Sequence, residues 1–349
     1  MKKYYGIEFL RFLTSASILL YHYRHFFGPL NTLNPKNYLE TEPNLPFYSF
    51  LDIFYTYGFY GVPVFYAISG FVFSYIYLSK ENNTTAKVFF INRLARLYPL
   101  HIATLILVCF LQYISFLNFD LFQLKLINDF YHFILQIFFI SAWGFQDGHS
   151  FNGPIWSVSI EIGIYIIFFL LIKKIKFFKL YIVTSIIVFL TIIDKLEIGN
   201  LGILFLDCAR LFFSGVLVYY ICDKNKKNKF ILNLISILLI ILSFIANFKI
   251  FLFCPALLMF FVTIEPIIER NKIKFFCKSF GDLTYSLYLV HVPIQITIIL
   301  LFSFFEISGT FFLSNVFFIL YFLITFLIAH ASFKFYELPL NNLLRKKFK

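Results

Sequence analysis

The sequence predicts an all-α integral membrane protein, a bundle of about ten transmembrane helices with N-terminus and C-terminus both cytoplasmic. Three observations predict it. Of the 349 residues 60% are hydrophobic and only 14% charged, a composition outside the water-soluble classes. The apolar residues fall into runs close to the roughly 20 residues that a helix needs to cross a hydrocarbon core. The formal net charge of +12 comes from Lys and Arg gathered in short breaks between those runs.

The runs lie at 6–27, 53–79, 97–117, 154–172, 180–193, 201–222, 230–247, 250–268, 282–302 and 310–333. Threading them alternately puts Lys2, Lys3, Lys80 to Arg96, Lys173 to Lys179, Lys224 to Lys229, Arg270 to Lys278 and Lys334 to Lys349 on one side. Only Lys36, Lys125, Lys195 and Lys249 fall on the other. That asymmetry is the positive-inside signature of a lipid-bilayer protein, so the basic balance excludes a nucleic-acid footprint. The 53 Phe and 23 Tyr can face acyl chains or sit at the interfacial belts.

The segment 126–143 is also apolar, but a span there would invert every later basic loop, so it is assigned to a helix lying at, or re-entering from, the outer face. The loops 28–52 and 118–153 are expected outside, where an extracytoplasmic ligand could be held. Residues 1–340 form the transmembrane domain and 341–349 a short basic cytoplasmic tail. Arg11 interrupts what would be the apolar core of a signal peptide, and no A-x-A site follows, so the first run is kept as a mature span. The five Cys are scattered singly as packing residues; no metal-ligand set or P-loop is present.

Ionisable residues within the runs carry the chemistry. Arg11 and His22 stand eleven residues apart, about 1100° of helical rotation and about 16 Å of rise, so one face carries a fixed cation below and a titratable base above. Two readings stay open: a functional pair facing an aqueous cavity, or Arg11 paired with Glu8 and His22 hydrogen-bonded in the bundle. His25 and Arg24 either share the outer cavity or mark the interface. Trp156 and Glu161 stand at the outer entrance of the fourth run, where a Glu one turn into lipid is unusual. His291 precedes Pro293, which would free a backbone carbonyl, and either lines a channel or is structural. Glu337 before Pro339 is a structural or channel candidate too. Asp207 and Arg210 are expected to form an intrahelical ion pair; His101, His132, His149 and His330 are left as structural.

Six stretches occur in one order along the chain: Ile7-Glu8-Phe9-Leu10-Arg11 leading to Tyr21-His22; Val62-Pro63-Val64-Phe65-Tyr66-Ala67-Ile68-Ser69-Gly70-Phe71; Asn92-Arg93-Leu94-Ala95-Arg96-Leu97-Tyr98-Pro99-Leu100; Gly153-Pro154-Ile155-Trp156-Ser157-Val158-Ser159-Ile160-Glu161; Thr284-Tyr285-Ser286-Leu287-Tyr288-Leu289-Val290-His291-Val292-Pro293; and Tyr336-Glu337-Leu338-Pro339. Together they resemble the acyltransferase 3 family. The resemblance implies an enzyme of the O-acetyltransferase type in the bacterial cytoplasmic membrane. It would carry no bound cofactor and would transfer an acyl group, usually acetyl, from acyl-coenzyme A to a hydroxyl of a cell-surface polysaccharide or lipid-linked saccharide.

On that reading His22 is the base, with Glu161 orienting it or binding the acceptor. Arg11, Arg93, Arg96, Trp156 and His291 bind donor or acceptor, and Glu8, Ser69 and Glu337 shape the channel. Phe9-Leu10-Arg11-Phe12-Leu13 departs from the family's Gly- or Ala-rich opening, which bears on helix packing. Some relatives carry a further extracytoplasmic esterase-like domain; here the whole transfer is expected within the membrane domain or with a separate partner. The competing class is a transporter of polysaccharide or small solute, in which Arg11, His22 and His291 would form a substrate or proton path.

Overall fold

Runs of Phe, Ile and Leu that close their own backbone hydrogen bonds fold as helices almost throughout the computed structural model. It describes residues 3–28, 44–78, 84–125, 127–174, 179–196 and 203–348. Lys2, Lys36, Lys80, Lys176 and Lys349 of the charge pattern, and most of the loop 28–52, lie outside the described residues. The helices are α1 (Tyr5–His22), α2 (Tyr48–Tyr57), α3 (Gly61–Tyr77), α4 (Ala86–Phe119), α5 (Phe130–Ile137), α6 (Ile155–Lys174), α7 (Leu180–Lys195) and α8 (Ile203–Lys224). They continue as α9 (Lys229–Ile245), α10 (Ile250–Thr263), α11 (Glu265–Arg270), α12 (Ile273–Asp282), α13 (Thr284–Phe304), α14 (Asn315–Ser332) and α15 (Leu338–Phe348).

A helix stands at each of the ten expected runs. Among the described residues seven stretches are long and apolar enough to cross a membrane: Tyr48–Tyr77, Ala86–Phe119, Ile155–Lys174, Leu204–Lys224, Ile250–Arg270, Thr284–Phe304 and Asn315–Phe348. The other three runs, α1, α7 and α9, are shorter or more polar. The expected second run is broken at Gly58–Tyr60, where a 3-10 turn joins α2 to α3. Arg93 and Arg96, expected at the head of the third run, lie inside α4, which starts at Ala86. The segment 126–143 yields only the eight-residue α5, far below the roughly 20 residues of a span.

The chain divides into two units. The first takes in residues 1–14, 60–86 and 160–282. Its packing turns on two glycines: a Cβ on Gly70 of α3 would collide with the Phe212 carbonyl of α8, and one on Gly215 with the Ala67 carbonyl. Backbones approach this closely only where both sides are small, the usual device of helices packed in lipid. Phe73, Tyr165, Phe168 and Phe212 fill the adjoining space, with the Phe73 and Tyr165 rings stacked at 4.1 Å. Glu265 accepts from the Tyr5 and Gly6 amides at 3.0 and 2.7 Å, satisfying first-turn donors of α1.

The second unit takes in residues 15–59, 87–159 and 283–349. Tyr23, Phe26, Phe27, Tyr55, Phe312 and Tyr321 make an aromatic core. On α14 the row Val316, Ile319, Leu323 and Leu327 is wholly exposed, at 66%, 54%, 52% and 60%. A helical stripe of this kind is unfavourable in water and ordinary against acyl chains.

Candidate active site

In the second unit α1 ends at His22 against the middle of α13. Nδ1 of His22 lies 2.7 Å from Nε2 of His291, with the two rings stacked at 4.9 Å. His291 is 1% exposed, and its own Nδ1 lies 3.2 Å from the Leu287 carbonyl oxygen. A carbonyl only accepts, so Nδ1 of His291 carries the proton and its Nε2 offers a lone pair. His22 Nδ1 therefore donates to His291, and the neutral His22 presents Nε2 as an unprotonated acceptor. A chain of two imidazoles ending on a backbone carbonyl thus fixes the tautomer of His22, as the orienting group does in catalytic triads.

Gln295 stands four residues after His291, on the same face of α13. Its amide nitrogen donates to the His22 carbonyl at 2.8 Å, and its oxygen accepts from His25 Nδ1 at 3.2 Å. The His25 ring stacks on His22 at 4.6 Å. The first donation also satisfies a C-terminal carbonyl of α1.

The register of α13 is fixed around His291. Pro293 has no amide proton, so the Leu289 carbonyl, four residues earlier, loses its intrahelical donor. Asn152 supplies the replacement, donating at 3.1 Å to that carbonyl and at 3.0 Å to the Thr104 hydroxyl of α4. The Tyr288 hydroxyl donates to the Pro154 carbonyl at 3.0 Å, and the Ser157 and Tyr288 oxygens are 2.7 Å apart. Ser286 donates to Glu337 at 2.7 Å, so the buried Glu337 also holds α13. The freed carbonyl anticipated at Pro293 is thus part of the scaffold around His291.

Trp156, at the head of α6, lies 5.8 Å from the His149 ring. His149, read as structural, is therefore a neighbour of Trp156. Arg93 and Arg96 are three apart on α4 and share a face. In the first unit Arg11 pairs with Glu8 at 3.1 Å, Ser69 accepts from the Tyr165 hydroxyl at 3.3 Å, and Glu161 lies on α6. Arg210 there pairs with Asp207 as expected, and further with Asp194 at 2.9 Å, its guanidinium lying 3.9 Å over the Phe251 ring. The Nδ1 of His22 that an orienting group would take is occupied by His291.

Hydrogen bonds brace the described residues of the loop that follows α4. Gln112 and Gln123 exchange two hydrogen bonds, at 2.8 and 2.9 Å. Asp129 caps α5 by accepting from the His132 amide at 2.8 Å, and that bond, with the His132 ring, holds its carboxyl below the usual carboxylate range.

Sequence reasoning left His25 open between the outer cavity and the interface, and missed Gln295 and Asn152. The first two carried a signal: His22 and His25 are one turn apart, and His291 and Gln295 are at i, i+4. Asn152 comes from a distant loop, and no spacing points to it.

The model of a family described as an acyltransferase domain matches residues 4–332. The peptidoglycan O-acetyltransferase OatA of Listeria monocytogenes is 28% identical over 337 residues, a match taking in 82% of this chain and 51% of that protein. The chain thus spans about half the length of that curated relative. No solved structure matches it.

Proposed function

The chain belongs to the acyltransferase 3 family, and from that premise we propose that it is a multi-pass O-acyltransferase of the bacterial cytoplasmic membrane. The donor is an acyl-coenzyme A, acetyl-coenzyme A first among them. The acceptor is a hydroxyl of an extracytoplasmic cell-surface saccharide; the similarity to a peptidoglycan O-acetyltransferase makes peptidoglycan the first acceptor to try.

The observation that carries this reading is the His22–His291–Leu287 chain. A thioester is already activated, so the reaction needs chiefly a base for the attacking hydroxyl, and general-base catalysis contributes about 10²–10⁴-fold. Nε2 of His22, held unprotonated by the chain behind it, takes the hydroxyl proton as the oxygen adds to the thioester carbonyl. When the intermediate collapses, His22 returns the proton to the departing coenzyme A thiolate. The product is an O-acyl ester and a free thiol, and the enzyme is regenerated.

Arg93 and Arg96, on one face of α4, suit the phosphates of coenzyme A, and Trp156 with Glu161 suits the acceptor sugar. Arg11, paired to Glu8, serves the donor path. The test is transfer of radiolabel from acetyl-coenzyme A to peptidoglycan fragments by the protein in lipid nanodiscs. Label on the glycan that mild alkali removes is the expected result. Passage of solute across proteoliposomes with no ester formed would favour the transporter.

A further inference from the structure

The charge pattern leaves Lys125 among the few cations on the face opposite the basic loops, and the second unit holds it in place. Gln123, two residues before it, is clamped by Gln112 and donates to the Ser115 hydroxyl at 2.9 Å. Leu124 is in the left-handed region at φ 63°, a conformation that leucine adopts only when its surroundings impose it. The Lys125 carbonyl accepts from the Asn128 amide nitrogen at 2.7 Å.

The side chain then runs along Gly153, where a Cβ would come within 2.8 Å of the Lys125 Cε. The glycine leaves room for the lysine stem. Its neighbours Asn152 and Pro154 are the residues hydrogen-bonded to Leu289 and Tyr288, within one turn of His291. The lysine stem therefore lies against the segment that braces α13 beside His291, the partner of His22. No carboxylate pairs with the ammonium among the described residues. Burial pushes the ammonium below the usual lysine range, the cost of keeping a cation here without a counter-ion. A methionine would fill the same channel without that cost, so a purely structural role leaves the charge unexplained.

We infer that Lys125 is a catalytic residue whose ammonium stabilises the anionic oxygen formed on the acyl carbonyl during transfer, an inference that rests on the acyl-transfer reading above. As the hydroxyl oxygen bonds to the carbonyl carbon, its proton passes to Nε2 of His22 and the carbonyl π pair moves onto oxygen. That pair returns when the carbon–sulfur bond breaks, and the thiolate takes the proton back from His22. A cation beside a base opposes formation of an imidazolium; an oxyanion formed in the same step gives the cation its counter-charge. The charge is thus matched to the transition state and not to the resting site.

The test is steady-state release of coenzyme A by the full chain in nanodiscs, with a neutral glycan acceptor and with one carrying a carboxylate. Lys125→Met is expected to lower kcat about 10²–10³-fold on both acceptors, with KM nearly unchanged, as loss of an oxyanion donor does. Lys125→Arg keeps the charge and is expected to recover most of the rate. Lys125→Gln, with the same expected loss, is the second variant should Met disturb the loop. An unchanged kcat in the neutral variants, or equal losses in Met and Arg variants of unaltered melting temperature, would overturn the inference. A rise in KM confined to the acidic acceptor would overturn it in favour of a carboxylate anchor. A well-folded wild type that releases no coenzyme A on any glycan would sink the acyl-transfer reading and this role with it. An active wild type matched by Lys125→Met would sink this role alone.

Discussion

Nδ1 of His22 and Nε2 of His291 meet at 2.7 Å, joining the last residue of α1 to the middle of α13. With both rings neutral, the His291 Nδ1 contact with the Leu287 carbonyl, which can only accept, sets the direction of that bond: His22 donates, and its far nitrogen is left as the acceptor.

On the proposed reading of His22 as the base, His291 is its positioning residue. His291→Phe fills the space but removes the lone pair, so His22 loses its fixed tautomer. The expected outcome is a fall in kcat of about 10²-fold, the usual cost of misplacing a reacting group by about 1 Å, with the coenzyme A KM little changed. Steady-state kinetics on the variant check this, and a loss expressed only in KM would assign His291 to substrate binding.

Asn152 replaces the donor that Pro293 lacks, so Asn152→Leu leaves the Leu289 carbonyl buried and unpaired. That costs about 1–3 kcal/mol. Adding Pro293→Ala returns an amide proton to the same carbonyl, and the double variant is expected to lose less than Asn152→Leu alone. Melting temperatures in detergent for the four members of the cycle measure the coupling; strict additivity would contradict the pairing.

If Arg93 and Arg96 hold the phosphates of coenzyme A as proposed, Arg93→Ala and Arg96→Ala each remove a charge-assisted contact of about 1.5–3 kcal/mol, which predicts a KM for acyl-coenzyme A raised about 10- to 100-fold with kcat kept. Titration of donor at saturating glycan reads this directly. A KM effect on the glycan would move the two arginines to the other substrate.

The cap of α5 depends on pH. The Asp129 carboxyl is held below its ordinary value of 3.8, so the stability it contributes is present above that value and is lost as pH falls through the lower, folded-state value. Hydrogen exchange across residues 130–137, corrected for intrinsic rate, is expected to speed up below about pH 4 in the wild type. Asp129→Ala is expected to show the faster exchange already at neutral pH and no added change on acidification.

Much of this was legible in the sequence because lipid imposes regular structure: apolar runs must close their own hydrogen bonds, and each of the ten became a helix. The break at Gly58–Tyr60 was not legible, since Phe and Tyr on either side continue the apolar composition through the turn. Arg93 and Arg96 looked like the head of a span because Lys87, Arg93 and Arg96 interrupt the apolar sequence before Leu97, yet α4 begins at Ala86 and carries all three within one helix. The Arg11–Glu8 pair and the carbonyl freed at Pro293 each followed from spacing along one helix. The His22–His291 contact joins residues 269 apart, and the bracing of Lys125 depends on Gly153 at the far end of the same loop, which no local periodicity reports.

The decisive measurement is release of free coenzyme A from acetyl-coenzyme A by the protein in nanodiscs, with and without peptidoglycan fragments, for the wild type and His22→Ala. Glycan-dependent release that falls by at least about 10²-fold in the variant is the predicted result, in line with removal of a general base. Undiminished release from His22→Ala would contradict the assignment of the base. No release from well-folded wild type across several glycans and acyl donors would contradict acyl transfer itself.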